Sequence, residues 1–564
     1  MLEFSPAFAL LLGAVLVAFS RGPLRAVVML AAPLLGAWGV YQLEPGTVVE
    51  FQMMGMQLTP VRVDALSILF GYLFHLAAFI GVVYSLHIKD PMQDVAALAY
   101  AGSGVGAVFA GDLLTLFVFW ELLAITSVFL VLARRSKHSL STGMRYLVMQ
   151  VGSGVLLLAG AIWYASAGNG LTFDFIGLDA PGGWLIFIAF GIKAGFPMLH
   201  GWLTDAYPEA TPTGTVFLSA FTTKVAIYAL ARGFPGTDLL IVIGTVMACF
   251  PIFFAVIEND LRRVLAYSLI NQLGFMVVGI GIGTQLALNG AVAHAFTDVI
   301  FKGLLMMSMG AVLHVTGEMR GSELGGLYKK MPKTAILCMV GAASISAFPL
   351  FSGFVSKSMV VAAAIQEGYT VVWLALLFAA AGVFHHAGIK IPFFAFFAHD
   401  SRYVDSAHEP PVNMLVAMTM GALLCVGIGS FPGLLYGLLP YDTGFWPYDV
   451  SHVLAQLQLL AFSALAFTWL KLAGIYPPEL KSVNLDVDWL YRRLAPQEIR
   501  TALARLAPID RNLREQGREL VASSLGMLAR HHGSYGVLAR SWPTGSMVIW
   551  VAVMLGLSLV LYYT

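Results

Sequence analysis

Several ionisable side chains stand inside stretches of sequence that are otherwise apolar, and their types are those that pass protons. Glu121 lies in Phe117-Val-Phe-Trp120-Glu121-Leu-Leu, too deep in its run for the carboxylate to reach an interface. Lys193 lies in Phe190-Gly-Ile-Lys193-Ala-Gly-Phe-Pro197, just ahead of a proline that frees backbone carbonyls. Lys224 follows in Phe221-Thr-Thr-Lys224-Val-Ala-Ile-Tyr228, and Lys390 in Phe384-His385-His386-Ala-Gly-Ile-Lys390-Ile-Pro392. The four-residue step puts His386 and Lys390 on one helical face, and the same step aligns His294, Asp298 and Lys302. A charge at bilayer depth costs roughly 2.5–3.5 kcal/mol on insertion scales, so each of these is a candidate functional group. Each also has a plainer reading: Glu121 as a structural ion-pair partner, a lone histidine as a satisfied core residue.

The chemistry such a set supports is proton transfer. Desolvation penalises the cationic form of a lysine, and a nearby carboxylate restores it. A Glu–Lys pair that can separate therefore switches the amine between holding and releasing its proton. Histidine and bound water pass protons onward near neutral pH. Ser268, Asn271 and Gln272, in Leu265-Ala-Tyr-Ser268-Leu-Ile-Asn271-Gln272, add polar groups that serve equally to anchor water or to join helices.

The elements that hold these residues must be membrane helices. The chain has 564 residues, 59% hydrophobic and 11% charged, with a mean hydropathy of +0.81, whereas a soluble chain carries charge at roughly 25% of positions. Apolar runs of about twenty residues recur along the length, and backbone groups in hydrocarbon must be satisfied within the segment, so the runs are helices. About fifteen crossings are expected. The first run, 6–20, has Glu3 before it and Arg21 after it, the reverse of a signal peptide's charge order, and is expected to be a retained span. Arg21 and Arg25 share a side with Arg134, Arg135 and Lys137, which puts the amino terminus outside.

Two regions interrupt the pattern. Gly195-Phe196-Pro197, with Pro208 to Gly214, and Ser346-Ala-Phe-Pro349-Leu-Phe-Ser-Gly353 each break an apolar run. Corresponding breaks in two halves are the mark of an inverted-repeat transporter, although such breaks also occur as packing kinks. The expected architecture is an all-α polytopic membrane bundle with two inverted repeats, each containing a discontinuous helix. The expected organisation is N-terminal helices over 1–94, a first repeat over 95–235, a second over 236–400 and C-terminal helices over 401–476. An amphipathic interfacial segment over 477–542 and a final helix over 543–564 complete it. The 477–542 segment, rich in Arg, Asp and Glu, is expected to tether the last helix or to meet a neighbouring subunit.

Other chemistries find no support. The formal net charge is +1 and no long basic run occurs, so nothing points to nucleic acid. Cys249, Cys338 and Cys425 stand singly in apolar stretches, without the spacing of a zinc or iron–sulfur site. No phosphate loop, Ser/His/Asp set or HExxH signature is present, and no cofactor or metal is expected. Asp112, Asp205, Glu209, Glu258 and Asp260 fall near span ends, where solvated loop charges are expected.

At these residues the chain resembles the antiporter-like membrane subunits shared by respiratory complex I, membrane-bound hydrogenases and the multisubunit Mrp cation/proton antiporters. The resemblance runs from Val63-Asp64-Ala-Leu-Ser67 through Trp120-Glu121-Leu, Lys193-Ala-Gly-Phe-Pro197-Met-Leu-His200-Gly-Trp202-Leu and Asp260-Leu-Arg-Arg-Val-Leu-Ala-Tyr-Ser268 to Ser352-Gly353-Phe-Val-Ser-Lys357. Ile389-Lys390-Ile-Pro392-Phe-Phe-Ala-Phe-Phe and Leu485-Asp486-Val-Asp488-Trp489-Leu-Tyr491-Arg492 are similar to the D-type Mrp subunit. The resemblance implies a pseudo-symmetric pair of five-helix units, with Glu121 and Lys193 as the input pair. Lys224, the His294 region and Lys390 would form the lateral relay. Asp298 departs from the pattern, since many relatives carry a second histidine there, one turn before Lys302.

Three functions reuse these charges. The first is a proton-translocating subunit of a multisubunit Na⁺/H⁺ antiporter in the inner (plasma) membrane, a secondary transporter assembled with other membrane subunits. The second is a proton-pumping membrane arm of a redox complex. The third is a proton-conducting partner of inorganic-carbon uptake.

Overall fold

The structure is a computed structural model that describes residues 5–53, 55–477, 479–481, 484–540 and 543–564. Helices account for nearly all of the regular structure, as the apolar runs require. Twelve described helices are long and apolar enough to cross a membrane, and three further apolar helices are shorter. The chain forms two compact units, Met1–Asn484 and Leu485–Thr564.

The first unit opens with α1 (Ala7–Phe19) and α2 (Pro23–Tyr41). An antiparallel hairpin of β1 (Val48–Met53) and β2 (Met56–Arg62) follows, then α3 (Ala65–Ser85) and α4 (Pro91–Phe109). Next come α5 (Leu113–Leu132) and α6 (Lys137–Tyr164). The first interrupted region comprises α7 (Gly183–Ala194), α8 (Gly201–Glu209), α9 (Gly214–Ala220) and α10 (Thr222–Gly233). Then α11 (Asp238–Ile257) packs along α12 (Leu261–Ile282), followed by α13 (Gln285–Thr316). The second interrupted region is α14 (Pro332–Ile345) and α15 (Ser352–Gln366). After it come α16 (Thr370–Val383), a π-helical turn over Phe384–Ile389 and the single turn α17 (Lys390–Pro392). The unit closes with α18 (Val412–Ser430), the short α19 (Gly433–Tyr436) and α20 (Val450–Leu472).

The two breaks share one backbone design. In each, a left-handed residue, Gly195 (φ 75°) or Ala347 (φ 59°), precedes Phe-Pro and a second left-handed residue, Met198 (φ 68°) or Leu350 (φ 73°). The Phe196 N–H reaches back to the Gly191 carbonyl at 3.0 Å, and the Phe348 N–H to the Ala343 carbonyl at 3.1 Å. Proline supplies no N–H to continue either helix, so the chain turns and restarts.

Further correspondences place the breaks in repeats of opposite direction. Asp112 caps α5 and bridges to Thr172, while Asp260 caps α12 and bridges to Arg320. Asp112 also accepts from the Thr59 amide of the hairpin at 2.7 Å, at the end of the bundle where α5 begins. Arg262, beside Asp260, donates to the Pro208 and Ala210 carbonyls, and Arg134, just after α5, also reaches the Pro208 carbonyl. The cap of α12 thus lies at the end where α5 finishes, as an inverted repeat requires.

Three charges expected to be solvated are buried. Asp112 caps α5, Asp205 accepts the Arg145 guanidinium at 2.8 Å, and Glu258 accepts the Asn259 and Asp260 amides. These span ends fold back against other helices, and each carboxylate is consumed by the turn or base beside it.

In the second unit a π-helical turn over Leu490–Leu494 leads into α21 (Ala495–His532), and α22 (Thr544–Tyr563) closes the chain. No residue of α21 is buried.

Candidate functional site

The interior of the first unit carries a row of lysines, three of which, Lys193, Lys224 and Lys390, stand where a helix is broken or distorted, while Lys302 lies within the continuous α13. Lys193 sits in the last turn of α7, one residue before the break begins. Its ammonium donates to the Trp120 carbonyl of α5 at 2.5 Å and lies 4.5 Å from the Trp120 ring centre. Glu121 is the next residue on α5 and the charge that acts on Lys193. The two are coupled through space, and the buried Oε1 of Glu121 has no hydrogen-bond partner among the described residues. Gly154 of α6 makes the room for it, because a Cβ there would fall on Glu121 Oε1. The Trp202 indole satisfies the Ile192 carbonyl freed by the break, at 2.8 Å.

Lys224 follows the distortion at Phe221 that separates α9 from α10. Its ammonium is 2.6 Å from Asp298 Oδ2 of α13, and both side chains are fully buried. It also donates to the Ser219 carbonyl at 3.2 Å. Asp298 therefore ties the first repeat to the second. One turn further along α13, Lys302 donates to Ser268 Oγ of α12 at 2.8 Å. One turn back, His294 meets Ser356 Oγ at 2.9 Å and Gln272 Oε1 at 3.1 Å. Gln272 in turn donates to Asn271 at 2.6 Å, so the polar residues of α12 join helices at this depth.

His386 sits in the π-helical turn, fully buried, within the fields of Lys302, His385 and Lys390. Neither of its ring nitrogens has a hydrogen-bond partner among the described residues. Lys390 begins α17 and donates to the carbonyls of Ala255, Val256 and Glu258 at the end of α11, at 3.2, 2.7 and 2.7 Å. The α9–α10 distortion offers the Ser219 carbonyl to Lys224 and the end of α11 offers three carbonyls to Lys390, and π-turns of the kind that carries His386 recur at functional sites.

Three features escaped the sequence reading. Lys357 of α15 is 3% exposed, donates to the Ile345 carbonyl across the second break at 2.8 Å and lies 5.1 Å from the Phe275 ring centre. It belongs to Ser352-Gly353-Phe-Val-Ser-Lys357, where its place in an apolar run was a readable signal. Glu479 pairs with Lys390 at 3.0 Å, its side chain 5% exposed. Burial raises its carboxyl above the usual carboxylate range, against the pull of Lys390 and Lys471. Nothing local in the sequence points to that partner. Ser127, Tyr146, Thr222 and Tyr100 are buried hydroxyls, with Ser127 to Tyr146 at 2.7 Å and Tyr100 to Thr222, two residues before Lys224, at 2.6 Å. Among the described residues no group of three or more His, Cys, Asp or Glu is placed to hold a metal ion.

The comparisons with known proteins fit this geometry. A family profile described as NADH:quinone oxidoreductase/Mrp antiporter, TM, matches residues 110–388, which contain every member of the row from Glu121 to His386. The D-type subunit of the Na⁺/H⁺ antiporter of Alkalihalophilus pseudofirmus is 30% identical over 364 residues, covering 60% of this chain and 72% of that protein. Hydrogenase-4 component B of Escherichia coli is 28% identical over 421 residues, covering 65% of this chain and 61% of that protein. The chain thus spans less than two thirds of the hydrogenase component. A chain in the structure of the Mrp complex from a Dietzia species superposes with a TM-score of 0.78 at 25% identity, covering 94% of this chain and 63% of that one. An archaeal membrane-bound sulfane sulfur reductase shares the fold, with a TM-score of 0.72 at 22% identity over 99% of both chains. With its interrupted helices, its lysine row and a relative aligned over most of that relative's length, this multi-pass membrane protein belongs to the NADH:quinone oxidoreductase/Mrp antiporter transmembrane family.

Proposed function

We propose that the chain is the proton-translocating membrane subunit of a multisubunit monovalent cation/proton antiporter, with sodium the first candidate cation. The observation that carries this reading is the row of Lys193, Lys224–Asp298, Lys302, His386 and Lys390, all buried, with the half-buried Glu121 at its head, which crosses from one inverted repeat to the other. His294, in contact with Ser356 and Gln272, belongs to the same relay. An ammonium drawn away from its carboxylate or carbonyls loses the field that holds its proton, and the next group along accepts it. Other membrane subunits would complete the cation path, since Glu121 and Asp298 are too few oxygens to define a cation site. The relatives named as Na⁺/H⁺ antiporter subunits support this assignment.

A second reading, the proton-pumping membrane arm of a redox complex, is favoured by the similarity to a hydrogenase component. One assay separates the two. The chain is expressed with its genomic neighbours in cells lacking sodium/proton antiporters, and dye-reported pH changes are recorded in everted vesicles on adding Na⁺, K⁺ or Li⁺. Antiport requires cation-dependent collapse of the pH gradient, lost in Glu121→Ala, Lys193→Ala and Lys390→Ala while each variant remains in the membrane. An assembled complex silent to every cation would transfer the assignment to redox-driven pumping. Transport surviving in all three variants would refute the row.

A further inference from the structure

The connector that leaves α20 is fastened to the first unit on both sides of Glu479. Tyr476 packs among His385, Phe394 and Phe467, with ring centres 5.4, 6.4 and 5.2 Å away. Lys481 pairs with Glu323 at 2.5 Å, and the Asn484 amide donates to the Glu258 carboxylate at 3.1 Å. Between these points Glu479 turns inward onto Lys390. The Lys390 ammonium already meets three carbonyls at the end of α11, so the carboxylate completes a shell for the charged form. Both partners lie beyond residues 110–388 matched by the family profile.

The other charged and titratable groups around Glu479 are engaged elsewhere or cannot accept. Lys471 is a cation lying over the Phe393, Phe394 and Tyr476 rings. Glu258 accepts two backbone amides and Asn484. Tyr476 is a neutral hydroxyl and His385 lies behind its ring. Glu479 is therefore the carboxylate positioned to take a proton from Lys390.

We propose that Glu479 is the terminal proton site of the row, an extension that rests on the relay reading above. The N–H bond of the Lys390 ammonium breaks as an O–H bond forms on the Glu479 carboxylate, leaving a neutral amine and a carboxylic acid. Transfer removes both charges at once, so the attraction holding the connector in place vanishes as the proton reaches it. The acid then gives its proton to water at the end of the bundle where α11 finishes, the face that the bases mark as internal. Lys390 is reprotonated from the His386 side.

The test uses the full chain assembled with its partner subunits in everted vesicles, with assembly read on native gels. Glu479→Gln keeps the shape and polarity of the side chain but cannot be protonated, and is expected to lower the cation-dependent rate about a hundredfold. Glu479→Asp is expected to retain transport with a displaced pH profile. Wild-type rate and pH profile in Glu479→Gln would overturn the proposal, as would equal losses in both variants with the profile unchanged, the behaviour of a mere pin. If Glu479→Gln does not assemble, the Glu479→Asp profile decides: displacement supports the proposal and a wild-type profile overturns it. Lys390→Gln is run alongside, because wild-type transport there would mean that the relay reading itself has failed.

Discussion

At the scale of single residues, the Lys224–Asp298 pair is a buried charge contact between α10 and α13. Both side chains are fully buried at 2.6 Å, so removing one partner leaves an uncompensated charge in the bundle. Asp298→Ala is expected to destabilise the detergent-solubilised protein by about 3–5 kcal/mol, read as a fall in thermal midpoint. Replacing both partners by apolar residues of similar volume, Lys224→Met with Asp298→Leu, should restore stability to within about 1 kcal/mol of the parent. Transport should stay absent in that double variant, since two groups of the proposed relay are gone. Recovered transport would show that the pair is structural. The charges themselves were legible, because Lys, Asp and Glu inside apolar runs stand out one at a time. Their pairings were not: Lys390 finds Glu479 far along the chain, and Lys193 turns to the Trp120 carbonyl while Glu121 stays at a distance.

At the scale of elements, the two helix breaks share a backbone but not a residue at the left-handed position. Gly195 takes φ 75° without a Cβ, whereas Ala347 takes φ 59° with one, a conformation that costs an ordinary residue roughly 1–2 kcal/mol. Ala347→Gly should therefore raise the thermal midpoint slightly, the relief of strain being offset by about 0.5–1 kcal/mol of added freedom in the unfolded chain. Gly195→Ala should lower it, through a loss of stability of about 1 kcal/mol or more. Equal and opposite shifts are not expected; a stabilised Gly195→Ala would contradict the conformation assigned to the first break. Proline and glycine announce that a helix stops, so both interruptions were readable in the sequence. Their correspondence was readable too, whereas the matching left-handed positions were not, because glycine stands at one and alanine at the other. The π-helical turn ahead of Lys390 was invisible for another reason: a single widened turn leaves apolar periodicity almost unchanged.

At the scale of the whole molecule, the inverted arrangement has a consequence for sidedness. Asp112 and Asp260 cap equivalent helices from opposite ends of the bundle. Between them stand α5, α6, the broken α7 and α8, the distorted α9 and α10, and α11, an odd number of crossings. Arg134 and Arg135 fall at the α12 end, which the positive-inside rule makes internal. Asp174, near the Asp112 cap, and Arg320, bridged to Asp260, are 65% and 47% exposed, so each can report its own side. Cys338 and Cys425 are buried, and Cys249 can be changed to serine to give a silent background. A membrane-impermeant maleimide added to intact cells should label Asp174→Cys and spare Arg320→Cys, and everted vesicles should give the reverse. Labelling of both from one side would remove the inverted repeat. With it would go the reason for the proposed proton row to begin in one repeat and end in the other, because only opposed halves give a single buried chain of lysines an opening toward each face.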